Sequence, residues 1–264
     1  MKAVWSTAIA ICALAGVLGA NEIRKESMQS QRKNRTYYLY APENLDSSSP
    51  APMIVVLHGS GDSGLMPVKR WRDLAKSEGI IIAGPNAWDR QAWRIPEDGP
   101  EFIYEMIESL KKKHPIDPQR IYLFGHSGGA IVALYLGLME SEYFAATAVH
   151  AGAIRRQDAY FIDKTKRKIP FSLFVGTQDP LFPVRDLRET RDMLTSRGFS
   201  VELTEIKGHD HDYGARSTEI NKMIWTFFQK HRLDDAPRHQ LYDWENVKPV
   251  VQEIFEKDDE EERK

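Results

Sequence analysis

The chain of 264 residues is 42% hydrophobic and 28% charged, with 38 acidic against 36 basic side chains and a formal charge of -2. These are the proportions of a globular protein, and the length is enough for one large domain with a real core. The near-balance of charge argues against nucleic acid or an anionic membrane as the main partner, so function has to reside in a site.

In chain order, Lys2 is followed by an apolar run from Ala3 to Leu18 and by the small residues Gly19 and Ala20 before Asn21. That order reads as a secretory signal over 1–20 and predicts a secreted or periplasmic product, with an uncleaved N-terminal anchor as the alternative. The lone cysteine, Cys12, falls inside this run, so no disulfide framework is possible. After signal cleavage no membrane span is expected. Residues 21–34 are polar, basic and aperiodic and read as a linker, with the fold starting near Thr36.

From there short β-rich runs alternate with helical ones. Strands are expected at Tyr37 to Tyr40, Met53 to Leu57, Ile80 to Ala83, Ile121 to Phe124, Ala146 to Val149, Phe171 to Val175 and Val201 to Ile206. Several are nearly unbroken apolar runs, the pattern of strands covered on both faces. Helical stripes appear between them: Phe102, Ile103, Met106, Ile107 and Leu110; Leu187, Thr190, Arg191 and Leu194; Ile220, Ile224, Phe227 and Phe228. The alternation predicts an α/β fold with a mostly parallel, doubly wound sheet over residues 35–233. Residues 234–264 carry eleven acids against five bases and read as a charged tail. A short amphipathic helix is expected within it, on Val247, Val250, Val251, Ile254 and Phe255.

The chemistry centres on Gly125-His126-Ser127-Gly128-Gly129. A G-x-S-x-G pattern arises by chance in roughly 6% of chains of this composition, so context decides its meaning. A buried-strand run precedes it and a helix-forming run, Ala130 to Leu138, follows it, as a nucleophile elbow requires. A serine nucleophile needs a base, and the base an acid to orient it. Asp179 lies just past the strand Phe171 to Val175, at the edge of the sheet where the elbow also sits, whereas Asp158, Asp163 and Asp186 do not follow a strand end. For the base, the segment His209-Asp210-His211-Asp212-Tyr213 offers two histidines, of which His211 is preferred and His209 competes. His126 adjoins the serine, and its ring is expected to point elsewhere. The His-x-His spacing also occurs in metal sites, but no third nitrogen or sulfur ligand is evident, so neither a metal nor a cofactor is expected. The Gly-rich run His58-Gly59-Ser60-Gly61 after the strand Met53 to Leu57 suits an oxyanion hole shared by the N–H groups of Ser60 and Gly128.

Residues Ile116 to Gly129, IDPQRIYLFGHSGG, resemble the nucleophile region of α/β-hydrolase serine esterases, in particular the group of polyhydroxybutyrate depolymerases, feruloyl esterases and phospholipase-carboxylesterases. HGSGDS, GPNAW and GTQDPLFPV extend the resemblance over about residues 35–232. It implies Ser127 as nucleophile, Asp179 as acid, His211 as base, and Ser60 and Gly128 at the oxyanion hole. Two features depart from the group: the cysteines of many secreted members are missing, and HDHDY stands where a single histidine after paired glycines is more usual.

Only Ala153 to Ile169 separate the strand after the elbow from the next, too few residues for a separate cap domain. An open site suits bulky or polymeric esters, such as polysaccharide-linked acyl esters or polyester oligomers. Trp88 and Trp93 are expected to line the groove and bind substrate, while Trp71 and Trp225 are expected in the core. The sequence therefore predicts a cofactor-free hydrolase of small or polymeric carboxylic esters. A peptidase on the same fold and a non-catalytic binding protein are the alternatives, and the sequence is silent on oligomeric state.

Overall fold

A computed structural model of the chain describes residues 22–43, 45–95 and 97–240. The expected signal over 1–20 and the expected tail helix lie outside these residues. The elements, in order, are β1 (Arg24–Ser30), β2 (Lys33–Tyr40), β3 (Ala51–Leu57), α1 (Leu65–Glu78), β4 (Ile81–Pro85), α2 (Pro100–Lys111), β5 (Ile116–His126) and α3 (Gly128–Met139). They continue with β6 (Ala146–His150), a 3-10 turn at Arg156–Asp158, α4 (Tyr160–Lys164), β7 (Phe171–Gly176), α5 (Val184–Thr195), β8 (Val201–Ile206) and α6 (Tyr213–Phe228).

Among the described residues the strands form one eight-stranded sheet in the order β1-β2-β4-β3-β5-β6-β7-β8. β1 and β2 form an antiparallel hairpin, β2 joins β4 antiparallel, and every pair from β4 to β8 is parallel. Central strands are buried along their whole length, so apolar residues occupy both faces of the pleat. Alternation then sorts the core into two layers. Met53, Val55 and Leu57 of β3 face the layer holding α2, α3 and α5, while Ile54 and Val56 face Val68 and Trp71 of α1 and Ile220 and Ile224 of α6. Each buried large apolar side chain stabilises the domain by roughly 1.5–3 kcal/mol. The stripe read on α2 is fully buried and docks that helix on the first layer. Trp71 and Trp225 pack in the second, as expected.

The sheet begins earlier than the sequence suggested. Residues 24–34, read as linker, form β1 and the start of β2, with Arg24 opposite Leu39 and Ser30 opposite Lys33. The side chains of β1 alternate between exposed and half-buried, so it carries no apolar run. Its turn holds Gln31 and Arg32 at positive φ (49° and 61°) without the glycine or asparagine that normally announces such a turn. Residues 234–240, read as the start of a charged tail, are tied to the body: His239 stacks on Tyr104 with ring centroids 4.0 Å apart and contacts Glu140 at 3.1 Å, and the Gln240 N–H donates to Glu140 at 2.8 Å.

Candidate active site

Six parallel strands, β3 to β8, deliver their C-terminal ends to one rim, and the site is built from the loops that leave it. β5 runs directly into α3 through Ser127, which adopts φ 54° and ψ -124°. A non-glycine residue there costs on the order of 1–3 kcal/mol and persists only where the surroundings fix it. Two features do so here. The Ser127 N–H donates to the His150 carbonyl at 3.0 Å. Gly125 and Gly129 meet across the turn so closely that a Cβ on Gly125 would collide with the Gly129 carbonyl, and one on Gly129 with the carbonyls of Leu57 and His58. Glycine two before and two after the serine is thus a packing requirement.

The structure brings together three of the residues singled out in the sequence. His211 Nε2 lies 3.0 Å from Ser127 Oγ, and His211 Nδ1 lies 2.9 Å from Asp179 Oδ2. The other Asp179 oxygen, Oδ1, accepts the backbone N–H groups of Leu181 and Phe182, each at 2.9 Å. Burial pushes the Asp179 carboxyl up, but the bonds from His211, Phe182 and Leu181 together outweigh it and hold the pKa below the usual carboxylate range. A carboxylate so held keeps the proton of the imidazole on Nδ1 and leaves Nε2 free to accept from the serine. The Phe182 ring lies nearly parallel to His211, with ring centroids 5.8 Å apart.

The rival residues are engaged elsewhere. His209 is buried, with Nε2 3.1 Å from His150 Nε2 and its carbonyl accepting from Gln178 N–H, so it turns under the sheet rim rather than toward Ser127. Asp158 accepts from Tyr135 and Arg155, Asp163 pairs with Arg197, and Asp186 sits in the first turn of α5 beside Arg185. The His126 ring turns Nδ1 toward His150 at 3.1 Å and remains in the pocket wall beside Ser127.

The glycine-rich loop after β3 lies against the elbow. A Cβ built on Gly128 would meet Ser60 Oγ at 2.7 Å and Ser60 N at 3.6 Å, which places the Ser60 backbone beside the N-terminus of α3. Gly61 at φ 78° turns the loop. A pocket of about 490 Å³ opens above Ser127, walled by Gly59, Ser60, His126 and His211, with Asp62, Arg70, Asp210 and Asp212 around its mouth. The segment 153–169 contributes only the 3-10 turn and the five-residue α4, so among the described residues no cap covers this opening.

Neither tryptophan expected in the groove lines the pocket. Trp93 is 1% exposed; its ring packs on His58 at 4.8 Å and its indole N–H donates to the His58 carbonyl at 2.8 Å. An aromatic with one polar edge has found a buried acceptor, so it braces the loop from below instead of meeting substrate. Trp88 is exposed, but its ring lies under Lys33 and near Arg35 at the antiparallel end of the sheet. Sequence reasoning also missed the brace beneath both. Arg35 and Asp98 form a buried ion pair, and Asp98 also accepts from the N–H groups of Trp88 and Arg94, each at 2.8 Å.

A serine on a strained strand-to-helix turn, hydrogen-bonded through histidine to a carboxylate from the next strand ends of a mostly parallel sheet, defines an α/β-hydrolase. A family profile described as phospholipase/carboxylesterase matches residues 85–231, and the chain belongs to that family. Among curated proteins, it is 27% identical over 167 residues to a bifunctional acetylxylan esterase/xylanase of Neocallimastix patriciarum, covering 60% of this chain and 23% of that protein. It is 28% identical over 156 residues to feruloyl esterase B of Piromyces equi, covering 52% of this chain and 28% of that one. The chain thus spans about a quarter of the length of these relatives. Among solved structures, S-formylglutathione hydrolase from Staphylococcus aureus shares the fold with a TM-score of 0.67 at 16% identity, over 78% of this chain and 98% of that one.

Proposed function

We propose that the chain is a serine hydrolase that cleaves carboxylic esters through an acyl-enzyme. The observation that carries this reading is the unbroken line from Asp179 through His211 to Ser127 Oγ, with bonds of 2.9 and 3.0 Å, at an elbow strained to present the serine. In this mechanism Ser127 Oγ attacks the ester carbonyl as His211 Nε2 takes its proton, while Asp179 stabilises the imidazolium. The N–H groups of Ser60 and Gly128 receive the oxyanion; neither is used in another hydrogen bond among the described residues. His211 returns the proton to the leaving alcohol, and a water molecule repeats the sequence on the acyl group.

The uncapped, polar-mouthed pocket favours bulky or polymeric esters, including polysaccharide-linked acyl esters and polyester oligomers, over long acyl chains that must be sealed from water. The basic-then-apolar run over 1–20 favours export. The test is Ser127→Ala: hydrolysis of p-nitrophenyl acetate should fall by several orders of magnitude while the circular dichroism spectrum is kept. Undiminished hydrolysis by the folded variant would overturn the reading.

A further inference from the structure

Beneath the site lies a line of imidazoles that the proposed mechanism does not use. His126, at the end of β5, contacts His150, at the end of β6, through facing Nδ1 atoms 3.1 Å apart. His150 contacts His209, beyond β8, through facing Nε2 atoms 3.1 Å apart. Burial, reinforced by the neighbouring imidazoles, lowers His126 well below its ordinary pKa and brings His150 to about 3. Burial lowers His209 as well. All three rings are therefore neutral at pH 7, and each carries one N–H.

That count makes the line directional. His150 has a single proton for two bonds, so it donates to one neighbour and accepts from the other. If it donates to His209, then His126 must donate from Nδ1, and its Nε2 is a bare lone pair. If it donates to His126, then His209 donates from Nε2 and keeps a bare Nδ1. The far end selects between these arrangements. His209 Nδ1 lies 4.0 Å from Asp210 Oδ1, beyond hydrogen-bond reach but near enough for the carboxylate charge to favour an N–H over a lone pair at that nitrogen. The line therefore runs from His126 to His150 to His209, and the free acceptor appears at its other end.

That end is in the pocket. His126 lines it, and no residue among those described bonds to its Nε2. A single point, the position of a Cβ on Gly59, lies 3.7 Å from His126 Nε2 and 3.4 Å from Ser127 Cβ, so the nitrogen and the serine side chain border the same small space beside Gly59. The mouth repeats the same chemistry. Asp62, Asp210 and Asp212 each accept a backbone N–H with one carboxylate oxygen and line the pocket, with Arg70 as the one cation among the lining residues. A pocket that offers acceptors and little cationic charge fits a neutral substrate rich in donors.

We infer that His126 is a specificity-determining acceptor whose bare Nε2 receives a hydroxyl of the substrate beside the scissile ester, selecting hydroxyl-bearing esters over their capped counterparts. This rests on the esterase reading for its kinetics but not for its protonation state, and the two are measured separately. Long-range nitrogen–proton NMR on histidine-labelled wild-type protein should find His126 and His209 protonated on Nδ1 and His150 on Nε2. The kinetic arm compares 2-hydroxyethyl acetate with 2-methoxyethyl acetate, and methyl 3-hydroxybutyrate with methyl 3-methoxybutyrate, so that a hydroxyl is offered on either side of the ester. The wild type should favour the hydroxyl member of at least one pair by about five- to tenfold in kcat/KM, the scale of one hydrogen bond. His126→Phe, which keeps a ring but no acceptor, should reduce that ratio to about one. An Nε2–H tautomer at His126 overturns the inference whatever the kinetics show, as does a hydroxyl preference that survives in His126→Phe or is missing from both pairs. A wild-type protein that hydrolyses no ester overturns the esterase reading and the substrate half of the inference together, while the tautomer measurement still decides whether the Nε2 of His126 is a bare acceptor.

Discussion

Replacing Asp179 by asparagine tests the proposed division of labour with almost no change of shape. The amide can sit in two orientations. Placing its NH2 group at the Oδ1 position would set it against the N–H groups of Leu181 and Phe182, now accepted at 2.9 Å, and would leave two donors unpaired at about 1–3 kcal/mol each. The carbonyl therefore stays at Oδ1, and the NH2 group takes the Oδ2 position, 2.9 Å from His211 Nδ1. His211 must then accept at Nδ1 and carry its proton on Nε2, facing Ser127 Oγ with no lone pair to take the serine proton. A wrong-tautomer base costs on the order of 10⁴-fold in turnover, equivalent to about 5.5 kcal/mol of barrier. Because both backbone donors keep their acceptor, the melting temperature should move by only a few degrees. The assay is kcat/KM for p-nitrophenyl acetate alongside a thermal melt. Asp179→Asn activity within tenfold of wild type would contradict a base oriented by this carboxylate.

Trp93→Phe should lower stability by about 1–3 kcal/mol, by removing the donor to the buried His58 carbonyl, and should slow hydrolysis by loosening the loop that carries Ser60; Trp88→Ala should leave small-ester kinetics within about twofold. Denaturant melts and steady-state rates separate the two. For pH, His150 falls to about 3 in the folded state against 6.5 in the unfolded chain, so between those values the unfolded state binds more protons and stability drops as pH falls. One such group contributes a slope of at most about 1.4 kcal/mol per pH unit, and the lowered His126 and His209 act in the same direction. Urea titrations from pH 7 to pH 4 should therefore show a shallower acid loss in His150→Phe than in wild type, and an equal slope would contradict the assignment.

The sequence displayed the parts of this fold that depend on local pattern. Unbroken apolar runs such as Met53 to Leu57 announced strands covered on both faces, and the glycines around Ser127 announced a turn that only they can pack. Asp179 was legible because it follows a strand end. The choice between His209 and His211 was not, since both leave the same strand two residues apart; tertiary bonds decide it, with Gln178 holding the His209 backbone, His150 holding its ring, and Ser127 meeting the ring of His211. β1 was hidden because its turn uses Gln31 and Arg32 where glycine is usual. Trp93 was misplaced because its partner, the carbonyl of His58, lies 35 residues away, and the Arg35–Asp98 pair spans 63. Long-range polar pairing leaves no periodicity to read.

The proposed ester hydrolysis requires Ser127 to be the activated nucleophile of a hydrogen-bonded triad. Reaction of the wild-type protein with a fluorophosphonate at neutral pH, followed by peptide mass spectrometry, tests this directly. The expected result is one stoichiometric phosphonyl adduct, on the peptide containing Ser127 and on Ser127 Oγ itself, with labelling abolished in Asp179→Asn and His211→Ala on the same timescale. No adduct on folded wild-type protein, or an adduct on any other residue, would contradict it.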